Sequence, residues 1–314
     1  MKNVLLLFTD QQRSDTIAVL GNPIIQTPAL DALAGDSTVF SRCYTPSPVC
    51  VPARLCMMQG TYPNRNGCND NMDNFRYEGK TLYQRFTEQG YTTMGIGKMH
   101  FPCDAYGLHG FAARKTQEEL AAPQDDYYKY LVQNGYTDVF DYNGQRSEMY
   151  YIPQISRLPQ QVHPTQWVGD QAVDFLRKQS SEQPFFLMTS FIHPHPPFAP
   201  PIPWNKLYRR NLPAPFVPEE SKELISYHNI LQNQYKGLSV GIDEHLLGLL
   251  KGFYYACISF VDYQISRIID MLKQRGFYEN TIIVFSSDHG KCWVIIIALE
   301  SVPCLMRPVR FLCL

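Results

Sequence analysis

The stretch VLLLFTDQQ, residues 4–12, decides the fold. Five apolar residues, Val4 to Phe8, are of strand length, and they stop abruptly at Thr9, Asp10, Gln11 and Gln12. The run is too short for a signal-peptide core or a membrane span, and no small-residue cleavage site follows it. Three later runs repeat the pattern. YTTMGIG (91–97) meets Lys98-Met99-His100, FFLMTSFI (185–192) meets His193-Pro194-His195, and TIIVFSS (281–287) meets Asp288-His289-Gly290.

Helical patterns precede these later runs. Residues 81–90 close on Gly90. Trp167, Val168, Ala172, Phe175 and Leu176 form an apolar stripe, as do Ile258, Val261, Ile265, Ile268 and Leu272 ahead of Gly276. Thr27-Pro28 reads as an N-cap and first-turn pair opening a helix through Leu30 and Leu33. Strands alternating with helices predict an α/β fold with a mainly parallel central sheet sandwiched by helices. Ligands bind beyond the carboxyl ends of such strands, so the four polar clusters are expected to converge. Two stretches, 102–164 and 194–218, are read as long irregular loops, either cleft walls or surface excursions.

The chain has 314 residues, 45% of them apolar, enough for a substantial core. A net charge of −1 gives no global field toward nucleic acid or anionic lipid, so neither is expected as a partner and any anion site is local. Nine cysteines without a CxxC pair, and no export signal, suggest reduced thiols and a cytoplasmic location.

The loop PSPVCVPARLCMMQG (46–60) sets Cys50 two residues before Pro52 and four before Arg54. A phosphatase-type thiolate loop carries its arginine six residues after the cysteine, where this chain has Cys56. Cys-x-Pro-x-Arg arises by chance about 0.03 times in a chain of this composition. The competing reading is a buried cysteine beside a helix-opening proline. Asp10, Gln11 and Asp288 are hard oxygen donors suited to calcium or magnesium; taken singly, Asp10 and Asp288 better suit ordinary turns, and their shared place at the strand ends favours the metal. Lys98 and His100, one residue apart, point the same way on an extended segment and fit an oxyanion, unless both are solvated. His193 and His195 also share a face there, but no third soft ligand is apparent for zinc.

These pieces together resemble the type I, formylglycine-dependent sulfatases of the alkaline-phosphatase-like superfamily. LLLFTDQQR, TPALDALAGDSTVF, PSPVCVPARLCMMQGTYPNRNG, GKMHF, FIHPHPPF and SSDHG occur in family order between residues 5 and 290. The resemblance implies an alkaline-phosphatase-like fold and hydrolysis of a small sugar, aryl or alkyl sulfate. A separate maturing enzyme would read the Cys50 loop and oxidise Cys50 to Cα-formylglycine. A hydroxyl of the hydrated aldehyde would then attack sulfur, and the second hydroxyl would let sulfate leave.

By the same resemblance, Asp10, Gln11, Asp288, His289 and the modified Cys50 would hold the metal, Ca²⁺ ahead of Mg²⁺. Arg54 would hold the loop, Lys98 a sulfate oxygen and His100 the diol's protons. His195 would protonate the leaving oxygen. Phosphonate or phosphodiester hydrolysis is the alternative chemistry, and an inactive truncated product the alternative to any.

Residues 291–314 depart from the family. They hold three of the nine cysteines, and the polar continuation expected after SSDHG is not there. The expectation is an incomplete catalytic domain at 1–290, a missing C-terminal subdomain, and a frameshifted or misassembled tail at 291–314 leaving turnover weak or absent. The tail's WVIIIAL run reads as a sticky strand.

Overall fold

A computed structural model describes residues 1–71, 74–146, 150–208, 212–213 and 244–290. The tail at 291–314 and parts of both long stretches therefore lie outside the described residues.

All four apolar runs form strands. They are β1 (Asn3–Thr9), β2 (Thr92–Gly97), β4 (Phe185–Phe191) and β5 (Thr281–Ser287). A fifth strand, β3 (Ala113–Thr116), completes a sheet of order β3-β2-β4-β1-β5 in which every pairing is parallel. Parallel pairing puts all five carboxyl ends on one side, as the sequence pattern required. Thr9 pairs with both Phe191 and Ser287, so the central tips end level with one another.

The side-chain period of two sorts β1 between two cores. Leu5 and Leu7 face one layer with Ile96, Leu187 and Phe285. That layer is closed by three helices, α1 (Pro28–Gly35), α6 (Pro164–Lys178) and α7 (Glu244–Gln274). Val168 and Leu176 of α6 and Val261, Ile265 and Ile268 of α7 are buried there, matching the two predicted stripes. Leu6 and Phe8 face the other way, with Phe186 and Met188, toward α2 (Cys50–Gln59) and α4 (Leu82–Glu88). A four-residue helix, α3 (Pro63–Asn66), follows α2. Each fully buried leucine or phenylalanine contributes about 1.5–3 kcal/mol, so both faces of the sheet are anchored.

Two local expectations are corrected. Pro28 does open α1, but Thr27 makes no side-chain cap. Its hydroxyl accepts from Ala18 N and donates to Asp31 Oδ1, and buried Asp262 of α7 takes the Ala29 and Leu30 amides at 3.0 and 2.8 Å. Stretch 102–164 is not wholly irregular either. It contains β3 and α5 (Asp126–Gln133), with Asp125 as N-cap accepting from Tyr127 N and Tyr128 N. β3 reads ARKT, too short and too polar to carry a strand signal, and it gains its place by edge pairing with β2. Among the described residues no helix is long and apolar enough to cross a membrane.

Gly97 shows why the end of β2 needs glycine. Its φ is +89°, and a Cβ there would lie 2.0 Å from the Ser190 carbonyl oxygen. Gly97→Ala is expected to cost about 2–5 kcal/mol of stability. Chemical denaturation measures this, and an unchanged midpoint would contradict it.

Candidate active site

Each of the five strand tips delivers a chemical group to one place. β1 ends in Asp10, which is fully buried, and Gln11 turns the chain with a left-handed φ of 62°. This corner lets the Gln11 amide donate to Asp288 Oδ1 at 3.0 Å, tying the tips of β1 and β5 together. Tyr254 of α7 closes the corner from behind, donating its hydroxyl to the Gln11 carbonyl.

Cys50 is the first residue of α2, on the face that meets β1, and Arg54 lies one turn later. Arg54 is buried between two carboxylates. Its Nε donates to Asp288 Oδ2 at 2.9 Å, one terminal nitrogen to Asp10 Oδ2 at 3.1 Å, and the other to the Lys98 carbonyl and Ser190 Oγ. Both Oδ2 atoms thus meet Arg54, while Asp10 Oδ1 faces Cys50 and Asp288 Oδ1 accepts the Gln11 and His289 amides at 3.0 and 2.7 Å. Cys50 Sγ lies 3.7 Å from Asp10 Oδ1 and 3.2 Å from His289 Nε2. His289 Nδ1 sits 2.9 Å from the Gly290 carbonyl, which can only accept, so Nδ1 donates there and Nε2 is the nitrogen turned toward Cys50.

The donor set of Asp10, Cys50, Asp288 and His289 brings four ligand atoms within 4.8 Å of one another, all buried. Two carboxylate oxygens and an imidazole nitrogen with its outer nitrogen already anchored could hold a divalent cation. A thiol is the wrong partner for a hard cation, and here it is also a poor thiolate. Burial, reinforced by Asp10, raises its pKa well above the usual range.

Lys98 follows β2 and is wholly buried, with Nζ 2.5 Å from Asp10 Oδ2 and in contact with Glu119 Oε1. Burial favours the neutral amine, but Asp10 and Glu119 outweigh it and raise its pKa. Burial likewise opposes ionisation of Asp10, and Lys98, His195 and Arg54 overcome it, so the carboxylate stays charged. His100 is not on an extended segment, as expected from spacing, because its φ is +50°. It still turns toward Lys98's partner, with Nδ1 3.9 Å from Glu119 Oε1.

The two histidines after β4 separate. His195 faces the cluster, with Nε2 3.8 Å from Glu119 Oε1 and Nδ1 donating to the Pro196 carbonyl at 2.6 Å. His193 turns away to Thr165, 2.9 Å from its hydroxyl, and stacks on His163. The shared-face expectation fails because this segment is a turn, where the two-residue period of a strand does not apply. Burial lowers His193 to a pKa of about 3 and His195 to about 4, with Glu119 and Asp10 pulling His195 the other way.

Two residues escaped the sequence reading. Glu118 accepts from Met99 N at 3.0 Å and His100 N at 3.2 Å, so it fixes the turn that presents Lys98. Its own amide donates to Asp125, the cap of α5. Glu119 meets Lys98, His100, His195 and Arg146 with one carboxylate. Both follow β3, and with that strand unrecognised, nothing marked them as another strand tip.

The parallel sheet with its gathered tips defines an alkaline-phosphatase-like α/β fold. A solved phosphonate monoester hydrolase of Agrobacterium radiobacter superposes on the whole chain with a TM-score of 0.80 at 21% identity, this chain covering 67% of it. The family model Sulfatase matches residues 2–292, and the chain belongs to the sulfatase family. It is 32% identical over 307 residues to an arylsulfatase of Clostridium perfringens and 27% identical over 305 residues to a choline-sulfatase of Rhizobium meliloti. These alignments take in 92% of this chain but 63% and 57% of the relatives' lengths.

Two outcomes test this geometry. Arg54→Ala leaves two buried carboxylates facing each other and is expected to cost about 3–5 kcal/mol in denaturant unfolding. A loss under about 1 kcal/mol, the scale of an exposed pair, would contradict it. In ¹⁵N NMR the His193 imidazole is expected to stay neutral down to about pH 5. Titration near the usual histidine value would show that it is not buried as described.

Proposed function

We propose that this chain carries the active site of a sulfuric ester hydrolase that cleaves a sulfate monoester, with Cys50 as the precursor of its nucleophile. The observation carrying this reading is the position of Cys50 Sγ, buried between Asp10 Oδ1 and His289 Nε2. A buried thiol with a raised pKa is ill-suited to attack or to ligate, whereas an oxygen in its place meets a hard donor set. Formylglycine, made from Cys50 by a separate maturing enzyme that reads the Cys50-x-Pro52-x-Arg54 run, supplies a hydroxyl for attack on sulfur and a route for releasing sulfate. A calcium ion held by Asp10, Gln11, Asp288, His289 and the modified residue 50 would supply positive charge beside that hydroxyl.

The remaining work falls to side chains. Arg54 fixes the two aspartates through their Oδ2 atoms and so turns Asp10 Oδ1 to residue 50. Lys98, kept protonated, binds a non-bridging sulfate oxygen and offsets its charge. His100 lies beside it to move the proton of the attacking hydroxyl. His195 donates a proton to the leaving oxygen from Nε2, because its Nδ1 proton is engaged by the Pro196 carbonyl. It does so as imidazolium, so a nearby anion must counter the burial that lowers its pKa to about 4. The ester's own negative charge is suited to this.

The test is expression of the full chain with and without a maturing enzyme. The Cys50 peptide is expected to lose its thiol mass and gain hydrazide reactivity only in the first case. Hydrolysis of an aryl sulfate is expected to fall at least about 10³-fold in Cys50→Ala. His195→Ala is expected to slow it on the order of 10²–10⁴-fold. Hydrolysis that is indifferent to Cys50→Ala would contradict the proposal. A parallel assay with an aryl phosphonate ester would reveal the alternative chemistry if that ester turned over faster.

A further inference from the structure

Glu119 stands where the proposed chemistry needs a substrate oxygen. Its Oε1 touches Lys98 Nζ and lies 3.9 Å from His100 Nδ1 and 3.8 Å from His195 Nε2. These are the three groups assigned to the sulfate charge, the hydroxyl proton and the leaving oxygen. Among the described residues, buried His100 Nδ1 has no hydrogen-bond partner. His195 can turn only Nε2 toward the pocket, because Nδ1 is held by Pro196. One carboxylate oxygen therefore meets Lys98 and lies within 4 Å of both histidine nitrogens.

Glu119 differs from its neighbour in how it is held. Glu118 is buried and braces the backbone of residues 99 and 100, so it cannot leave without unmaking the turn. Glu119 makes no such brace. Its backbone is fixed separately, by Asn143 Nδ2 donating to its carbonyl at 3.1 Å. Its side chain is partly exposed, at 17%. Its second oxygen, Oε2, already rests on Arg146 at 2.5 Å, and Arg146 is partly exposed and lies over the ring of Tyr150. A side-chain rotation toward Arg146 would clear the place Oε1 holds and keep the carboxylate paired.

We propose that Glu119 is an internal ligand of the anion pocket, holding the place of a substrate sulfate oxygen and setting the pocket's affinity by competing for Lys98, His100 and His195. Sulfate binding then requires the Glu119 carboxylate to withdraw onto Arg146, because two anions at one focus repel. The proposal rests on the reading of Lys98, His100 and His195 as the sulfate-handling groups. It assigns Glu119 an effect opposite to that of a brace. A brace holds the cations ready, and its loss weakens anion binding. A competitor's loss strengthens it.

The experiment is calorimetric titration of inorganic sulfate into the full chain, its Glu119→Gln variant and the Lys98→Gln/Glu119→Gln double variant, at one ionic strength. Glu119→Gln is expected to bind sulfate about tenfold more tightly than the parent, like-charge repulsion having been removed, and the double variant is expected to lose the gain. Equal or weaker binding by a folded Glu119→Gln chain would overturn the proposal. A crystal of the unmutated chain soaked in sulfate gives a reading that does not depend on the variant folding. Sulfate against Lys98 with Glu119 swung onto Arg146 supports the proposal. An intact Lys98–Glu119 pair in that crystal overturns it. Unchanged sulfate binding alongside Cys50-dependent turnover sinks the competitor and leaves the hydrolase. Tighter binding without Cys50-dependent turnover does the reverse.

Discussion

Arg54, buried between Asp10 and Asp288, is the interaction on which the site depends. Two carboxylates at adjacent strand tips, both removed from water, would repel each other and favour protonation. A guanidinium with fixed fork geometry can satisfy both at once, and its remaining nitrogen reaches the Lys98 carbonyl and Ser190. Four of the five strand tips are therefore linked through one side chain, which is carried by α2 rather than by the sheet. The same helix begins with Cys50, so the residue that holds the carboxylates apart also fixes the sulfur beside them.

This arrangement explains why the charged groups divide into two halves. On one side, Asp10, Asp288 and His289 gather their ligand atoms with Cys50 Sγ within 4.8 Å of one another. On the other, Lys98, His100, His195 and Arg146 surround Glu119 as cations or proton carriers. In the proposed chemistry the first half would hold the metal and the second the sulfate, with Cys50 on the seam.

The large features were legible in the sequence because they follow from periodicity. Strand-length apolar runs ending in polar residues fixed four strands and the side on which their tips would meet. Stripes at helical spacing fixed α6 and α7. The resemblance then named Asp10, Cys50, Arg54, Lys98, Asp288 and His289, and the structure brings them into one cluster. What stayed hidden was conferred by tertiary contact. β3 is a polar four-residue strand that exists because β2 offers it an edge, and with it went Glu118 and Glu119. The separation of His193 from His195 depends on a turn whose shape spacing cannot encode. The Asp262 cap on α1 comes from a helix more than two hundred residues away, beyond the reach of any local rule.

The central claim is that strand tips distant in sequence form one divalent-cation site beside Cys50. Calcium titration of the full chain, against a variant carrying Asp10→Asn and Asp288→Asn, tests it most directly. The account predicts a single calcium site per chain that the double variant loses while remaining folded by circular dichroism. Calcium binding equally well to both chains, or to neither, would contradict it.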